Sequence, residues 1–154
     1  MRRLAKKEDM TQLTDELVAF LEGEKLVMLS TIDYENDTPN VSAISWVKSV
    51  NKGNIRFSVT TNSRTVQNVK QNAGVVLTVI GLETVYSIQG KATILEEAMA
   101  GVSLKLAKIN VEIDQVMETM FWGAKITTEP KYEKTYNKKK AEELDEEVYK
   151  ALMD

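Results

Sequence analysis

Between residues 58 and 68 the chain reads Ser58-Val-Thr-Thr-Asn-Ser-Arg-Thr-Val-Gln-Asn68, leaving a β-leaning stretch and entering a helix-leaning one. Hydroxyls, one arginine and a helix start fall within a few residues. The first turn of a helix leaves backbone N–H groups unpaired at the positive end of its dipole, and arginine adds a planar fork of donors. That combination suits a phosphate. A plainer reading uses the same residues, with Ser63 as an ordinary N-cap and Arg64 as a solvated surface side chain.

What the sequence lacks narrows the chemistry further. Among 154 residues there is no histidine and no cysteine. Zinc, haem and iron–sulfur sites built on His or Cys ligands are excluded within the chain, as are Ser-His-Asp and Cys-His catalytic sets. Carboxylate sites for hard cations stay open, but Glu142, Glu143, Asp145, Glu146 and Glu147 lack the ligand spacing and central glycine of a calcium loop. They read as a solvated helix face beside Lys138–Lys140, and no metal site is expected. Trp46 and Trp122 can stack on a planar ring or pack in a core or interface. Met117, Met120, Phe121 and Trp122 form an apolar group suited to the core, a dimer interface or a pocket wall. The net charge of −3 argues against duplex nucleic acid as a partner.

These residues need a frame. Leu13, Leu17, Phe20 and Leu21 recur on one helix face, with Thr11 or Thr14 as cap and Gly23 as stop. Leu26 to Ile32 reads as a strand, followed by the turn-rich Asp33-Tyr-Glu-Asn-Asp-Thr-Pro39. Val41–Val47 and Ile55–Val59 read as two more strands, joined through Asn51-Lys-Gly-Asn54. A short helix follows Ser63 and ends at Ala73-Gly74. Val75–Ile80 and Val85–Leu95 give two further strands, with Gly90 at a bulge or a close backbone approach. Ala107, Ile109, Val111 and Ile113 alternate with polar residues and predict a sixth strand, preceded by a helical turn. A turn-rich apolar piece spans 116–122, and Ala124–Ile126 adds a few extended residues. Leu144, Val148, Ala151 and Leu152 share a helix face in the charged tail.

One domain over 1–154 is expected, with the strands within about 25–126 and the charged C-terminal helix at about 138–152. The class is mainly β with peripheral helices: a small antiparallel barrel or sandwich, the barrel removing unpaired strand edges. No run reaches the roughly 20 apolar residues of a membrane span, and no signal-peptide core follows the basic start, so a cytoplasmic protein is expected.

The runs Leu29–Asp33, Thr38-Pro-Asn-Val-Ser-Ala-Ile-Ser-Trp46, Ile55–Val69, Val75-Val-Leu and Tyr86-Ser-Ile-Gln-Gly-Lys-Ala-Thr93 together resemble the pyridoxamine 5′-phosphate oxidase-like family of FMN-binding split barrels. The resemblance covers roughly residues 13 to 126 and implies a six-stranded antiparallel split β-barrel with N-terminal, internal and C-terminal helices. It also implies an FMN phosphate held by Ser63 and Arg64 with Thr65 adjacent. The ribityl chain and ring edge would lie near Ser42, Ala43, Ile44, Ser45, Ser58, Val59 and Thr60. A homodimer with two flavins at its interface is implied as well.

Departures from that family pattern are also visible. No histidine occurs and no arginine follows Arg64, so the oxidase's C-terminal substrate set is missing. Thr65 stands where the oxidase has a further basic residue, and Asn72-Ala73 replaces its usual Asn-Pro. The expectation is therefore FMN binding with flavin-dependent redox chemistry on an unidentified small molecule, and not oxidation of pyridoxamine phosphate. The alternatives are a non-catalytic flavin-binding, flavin-storing or ligand-sensing dimer, or a barrel that serves as an interaction module. No residue stands out as a catalytic base.

Overall fold

A computed structural model of the chain describes residues 10–154. The basic start of the sequence lies outside the described residues. Three helices and seven strands follow in the order α1 (Asp15–Phe20), β1 (Val27–Ile32), β2 (Pro39–Ile44), β3 (Val47–Asn51), β4 (Asn54–Thr60), α2 (Arg64–Gln71), β5 (Gly74–Gly81), β6 (Thr84–Glu96), β7 (Leu106–Glu118) and α3 (Lys138–Met153). The strands form one antiparallel sheet in the order β2-β1-β5-β6-β7-β4-β3.

Seven strands replace the six expected, and the extra one comes from the run Val41–Val47. It is not a single strand. The chain leaves β2 at Ile44, crosses Ser45 and Trp46, and enters β3 at Val47, which lies on the opposite edge of the sheet. Three Cα steps span at most about 11 Å, so the two edges of the sheet must come together at this corner. The Val47 amide donates to the Ser45 carbonyl, and the Ser58 amide of β4 to the Trp46 carbonyl, each at 3.0 Å. This link curls the sheet into a barrel that is split along the remaining seam.

Alternation directs the core. Val27 and Leu29, Ile55 and Phe57, Val75, Leu77 and Val79, Ile88, and Ala107, Ile109 and Val111 all face inward and are buried. Leu13, Leu17 and Leu21 around α1, and Val66 and Val69 of α2, pack against the same cluster. Thr14 caps α1 by accepting from the Leu17 amide at 3.1 Å. Strand β7 runs on to Glu118, so Val116–Glu118 are strand, and the expected turn-rich piece is confined to residues 119–122. A bulge explains why: Gly90 pairs with Ile113 and Gln89 with Gln115, so Asp114 is the extra residue and the inward phase moves on to Val116. A Cβ at Gly90 would collide with the Glu112 carbonyl and the Val111 side chain, so the bulge and the close approach occur together.

Bends and a turn, with no helix, occupy residues 97–105, and residues 124–126 form no strand although the Ile126 amide donates to the Glu83 carbonyl at 2.9 Å. The C-terminal helix α3 matches its expected position and docks on a second apolar cluster of Met99, Leu106, Val148, Ala151 and Leu152. In the β4–β7 register, Arg56, Ser58 and Thr60 stand opposite Asn110, Lys108 and Leu106. That outward row lies toward α3: Leu106 packs on the helix, and Arg56 Nη1 donates to the Leu152 carbonyl at 2.9 Å. Among the described residues no helix is long and apolar enough to cross a membrane.

Candidate functional site

Strand β4 ends at Thr60, and the chain turns through Thr61 and Asn62 into α2. Ser63 is extended (φ −73°, ψ 158°) and its hydroxyl accepts from the Val66 amide at 3.3 Å. The plain capping role of Ser63 is therefore present. Its cap leaves the amides of Arg64 and Thr65 outside the intrahelical ladder, at the positive end of the helix dipole. Buried Val66 and Val69 anchor the helix to the core.

A second anchor is polar. Asn68 is 1% exposed and its side-chain nitrogen donates to Thr31 Oγ1 at 2.9 Å and to Asn40 Oδ1 at 2.8 Å. Its Oδ1 accepts from the Tyr34 amide at 2.8 Å. One asparagine thus ties α2 to β1, to β2 and to the turn between them, with both amide hydrogens and the carbonyl oxygen of a buried side chain partnered. The helix start is held against the β1–β2 turn.

Arg64 is not a free surface side chain. Its Nε donates to Asp33 Oδ1 at 2.5 Å, and its Nη2 to Asp33 Oδ2 at 3.2 Å and Glu35 Oε1 at 2.5 Å. The Tyr34 ring lies 4.9 Å from the guanidinium carbon, within cation–π reach. Asp33 is 2% exposed and also accepts from the amides of Glu35 at 3.0 Å and Asn36 at 3.1 Å. Hydrogen bonding from Arg64, helped by these amides, lowers the Asp33 carboxyl from 3.8 to about 2, and the same carboxylates raise Arg64. Nη1 carries no hydrogen bond among the described residues, so the Nε side of the guanidinium is pinned by Asp33, Nη2 is shared with Glu35, and Nη1 is left open.

The expected site residues separate into three places. Thr60, Ser63, Arg64 and Thr65 gather at the strand-to-helix junction. Ser42, Ala43 and Ile44 lie on the edge strand β2, opposite Leu29, Met28 and Val27, with Ala43 exposed and Ile44 packed on the core. Ser45 lies in the barrel corner, where its carbonyl accepts from the Tyr149 hydroxyl of α3 at 3.0 Å, and Ser58 is joined to that corner through its amide bond to the Trp46 carbonyl. Burial pushes the Tyr149 phenol up. Ser58 is 2% exposed, and its hydroxyl finds no partner among the described residues. Val59 turns inward to the core.

Trp46 belongs to packing: it joins the α3 cluster and donates from Nε1 to Asp145 Oδ1 at 2.8 Å. Phe121 is 70% and Trp122 48% exposed, so these two members of the 117–122 group do not fill the core. Among the described residues no cluster of acidic side chains can hold a metal ion. A groove of about 420 Å³ opens on the outer face of the sheet, bordered by Ser30, Ile32, Pro39, Val76, Gln89 and Lys91. None of the ten expected site residues lines it.

Sequence reading missed Asp33, Tyr34, Glu35 and Asn68. Asp33 was legible as a turn residue, since Asp readily bonds the amides that follow it. Its pairing with an arginine 31 residues on was not.

Fold and site define a class: an antiparallel split barrel with a Ser63-capped, arginine-bearing helix start at one end. The family profile described as pyridoxamine 5′-phosphate oxidase matches residues 13–121, and the chain belongs to that family. Solved structures agree on the fold. A protein of Lactobacillus delbrueckii named for pyridoxamine 5′-phosphate oxidase has 20% identity and a TM-score of 0.62, covering 73% of this chain and 99% of its own. An F420 reductase has 18% identity and a TM-score of 0.58, covering 68% and 98%. HutZ, the haem storage protein of Vibrio cholerae, has 14% identity and a TM-score of 0.53, covering 71% and 96%. No curated relative matches the sequence.

Proposed function

We propose that this chain binds FMN, with the phosphate at the start of α2, and acts as a flavin-dependent oxidoreductase on a small molecule. The observation that carries the reading is Arg64, pinned along one edge by buried Asp33 beside two first-turn amides. A phosphate ester takes charge-assisted hydrogen bonds from such donors. The residues present fit that group: Arg64 Nη1 and the amides of Arg64 and Thr65 hold it, while Ser63 keeps the helix start in place.

The exposed Ala43 and Thr60, with Ser42, Ile44, Ser45 and Val59 on the same strands and corner, form the proposed path for the ribityl chain and ring. Ser58 contributes its place in β4, its side chain being buried. When bound, the flavin supplies the hydride and electron chemistry. The chain's own part is to grip the phosphate, orient the ring and exclude water.

A homodimer follows from the same reading. Met28, Ser30, Ile32, Val76, Thr78 and Ile80 alternate with the buried positions of β1 and β5, so they line the outer face of the sheet. An apolar outer face of this kind is suited to a second copy.

A second reading is favoured by one feature. Of the ten expected site residues only Arg64 is a charged side chain, so no acid or base stands ready for turnover. This supports a flavin-binding or flavin-storing dimer that does no chemistry of its own. Absorbance of the untreated protein tests both readings. Flavin bands that bleach with NADH or NADPH support the enzyme, and bands inert to both support the binder. A colourless protein that gives no saturable change with added FMN overturns both.

A further inference from the structure

Three consecutive residues of the β1–β2 turn surround Arg64: Asp33 along one edge, Tyr34 on its face and Glu35 on Nη2. The two carboxylates are not equivalent. Asp33 accepts four hydrogen bonds, from Arg64 Nε, Arg64 Nη2 and the amides of Glu35 and Asn36. Three of these fall on Oδ2 and one on Oδ1, so both carboxylate oxygens are engaged, and burial fixes Asp33 in place. Glu35 makes one side-chain contact, with Arg64 Nη2, and its side chain is 59% exposed. An exposed ion pair of this kind is weakly held and opens readily to solvent.

Position decides what that weak pair does. Asp33 occupies the Nε and Nη2 side of the guanidinium, so an anion binding in the forked mode has the Nη1 and Nη2 side left to it. Glu35 sits on Nη2. The summed charge of Asp33, Glu35 and Arg64 is −1, and with Glu35 withdrawn it is zero. A dianionic ester therefore meets a repelling carboxylate at the donor it needs, in a helix start that otherwise favours it.

The geometry points to Glu35 as an internal competitor for the anion seat on Arg64, displaced when a phosphate ester binds. This rests on the phosphate reading above and adds a specificity residue to it. Glu35 lowers affinity for phosphate-bearing ligands without touching ligands that lack the group. Asp33 has the opposite role, as a positioning residue that aims the guanidinium whether or not an anion is present.

Fluorescence titration of the full chain and of Glu35→Gln with FMN and with riboflavin tests this, beside the shift in melting temperature produced by inorganic phosphate. The expected result is FMN affinity about fivefold higher in Glu35→Gln, the scale of one exposed ion pair, with riboflavin affinity unchanged. Phosphate should also raise the melting temperature of the variant more than that of the parent. Equal or weaker FMN binding by the variant overturns the competitor role alone, as does an equal gain for riboflavin. If neither chain recognises FMN or phosphate, the phosphate reading fails and the competitor role fails with it.

Discussion

Trp46 and Asp145, 99 residues apart, are joined by a hydrogen bond of 2.8 Å from the indole Nε1 to the carboxylate. The bond ties the two-residue corner that closes the barrel to the helix that covers it. Lys134 pairs with the same carboxylate at 3.3 Å and with Glu24 at 3.2 Å, so the segment leading into α3 is fastened at the same place. Asp145→Ala should leave the indole donor without its partner and cost about 1 to 3 kcal/mol. Urea denaturation in a Trp122→Phe background, followed by Trp46 emission, checks this, and an unchanged midpoint would show that the corner does not need the helix.

Acid should loosen the grip of the β1–β2 turn on α2. The Asp33 carboxyl lies at about 2 in the folded chain against an ordinary 3.8, so the ionised form is favoured by folding. Its stabilisation is complete above 3.8 and is lost as pH falls toward about 2. Asp33→Asn should be less stable near neutrality and lose less stability over that acid interval than the parent. Melting temperatures measured across the interval decide it, and parallel curves for the two chains would contradict the assignment.

The barrel interior makes a sharper demand. Val111 and Phe57 are both 0% exposed on the inner face. Val111→Asp should abolish folding, because a carboxylate there has no partner or water. Phe57→Ala should leave a folded chain weakened by about 3 to 5 kcal/mol. Circular dichroism melts of both variants check the pair, and a normal melt for Val111→Asp would place that strand face in solvent.

Much of this frame was legible locally. Leu13, Leu17 and Leu21 announced α1, Ser63 announced the start of α2, and the stripe of Leu144, Val148, Ala151 and Leu152 announced α3. Strand β7 was visible where its alternation was strict and lost beyond Ile113, because the extra residue Asp114 resets the phase. The break at Ser45 and Trp46 was hidden for a different reason. Both neighbouring segments are extended and no glycine or proline separates them, so only pairing with distant strands reveals that they sit on opposite edges. The candidate site divides the same way. Ser63 was readable as a helix cap and Arg64 as a donor, whereas the carboxylates on Arg64 and the cover over Ser58 depend on contacts between remote parts of the chain.

The α2 cap separates stability from binding. Ser63→Ala should cost about 0.5 to 2 kcal/mol of stability through the lost cap. Its FMN affinity should fall less than that of Arg64→Ala. Thermal melts paired with FMN titrations of both variants check the order, and a reversal would move the phosphate from the guanidinium to the hydroxyl.

The most direct measurement is an equilibrium titration of the parent and Arg64→Ala with FMN and riboflavin, read by flavin fluorescence. The parent should bind FMN more tightly than riboflavin, and Arg64→Ala should lose about 1.5 to 3 kcal/mol with FMN and nothing with riboflavin. Equal affinity of parent and variant for FMN would contradict a phosphate held at Arg64.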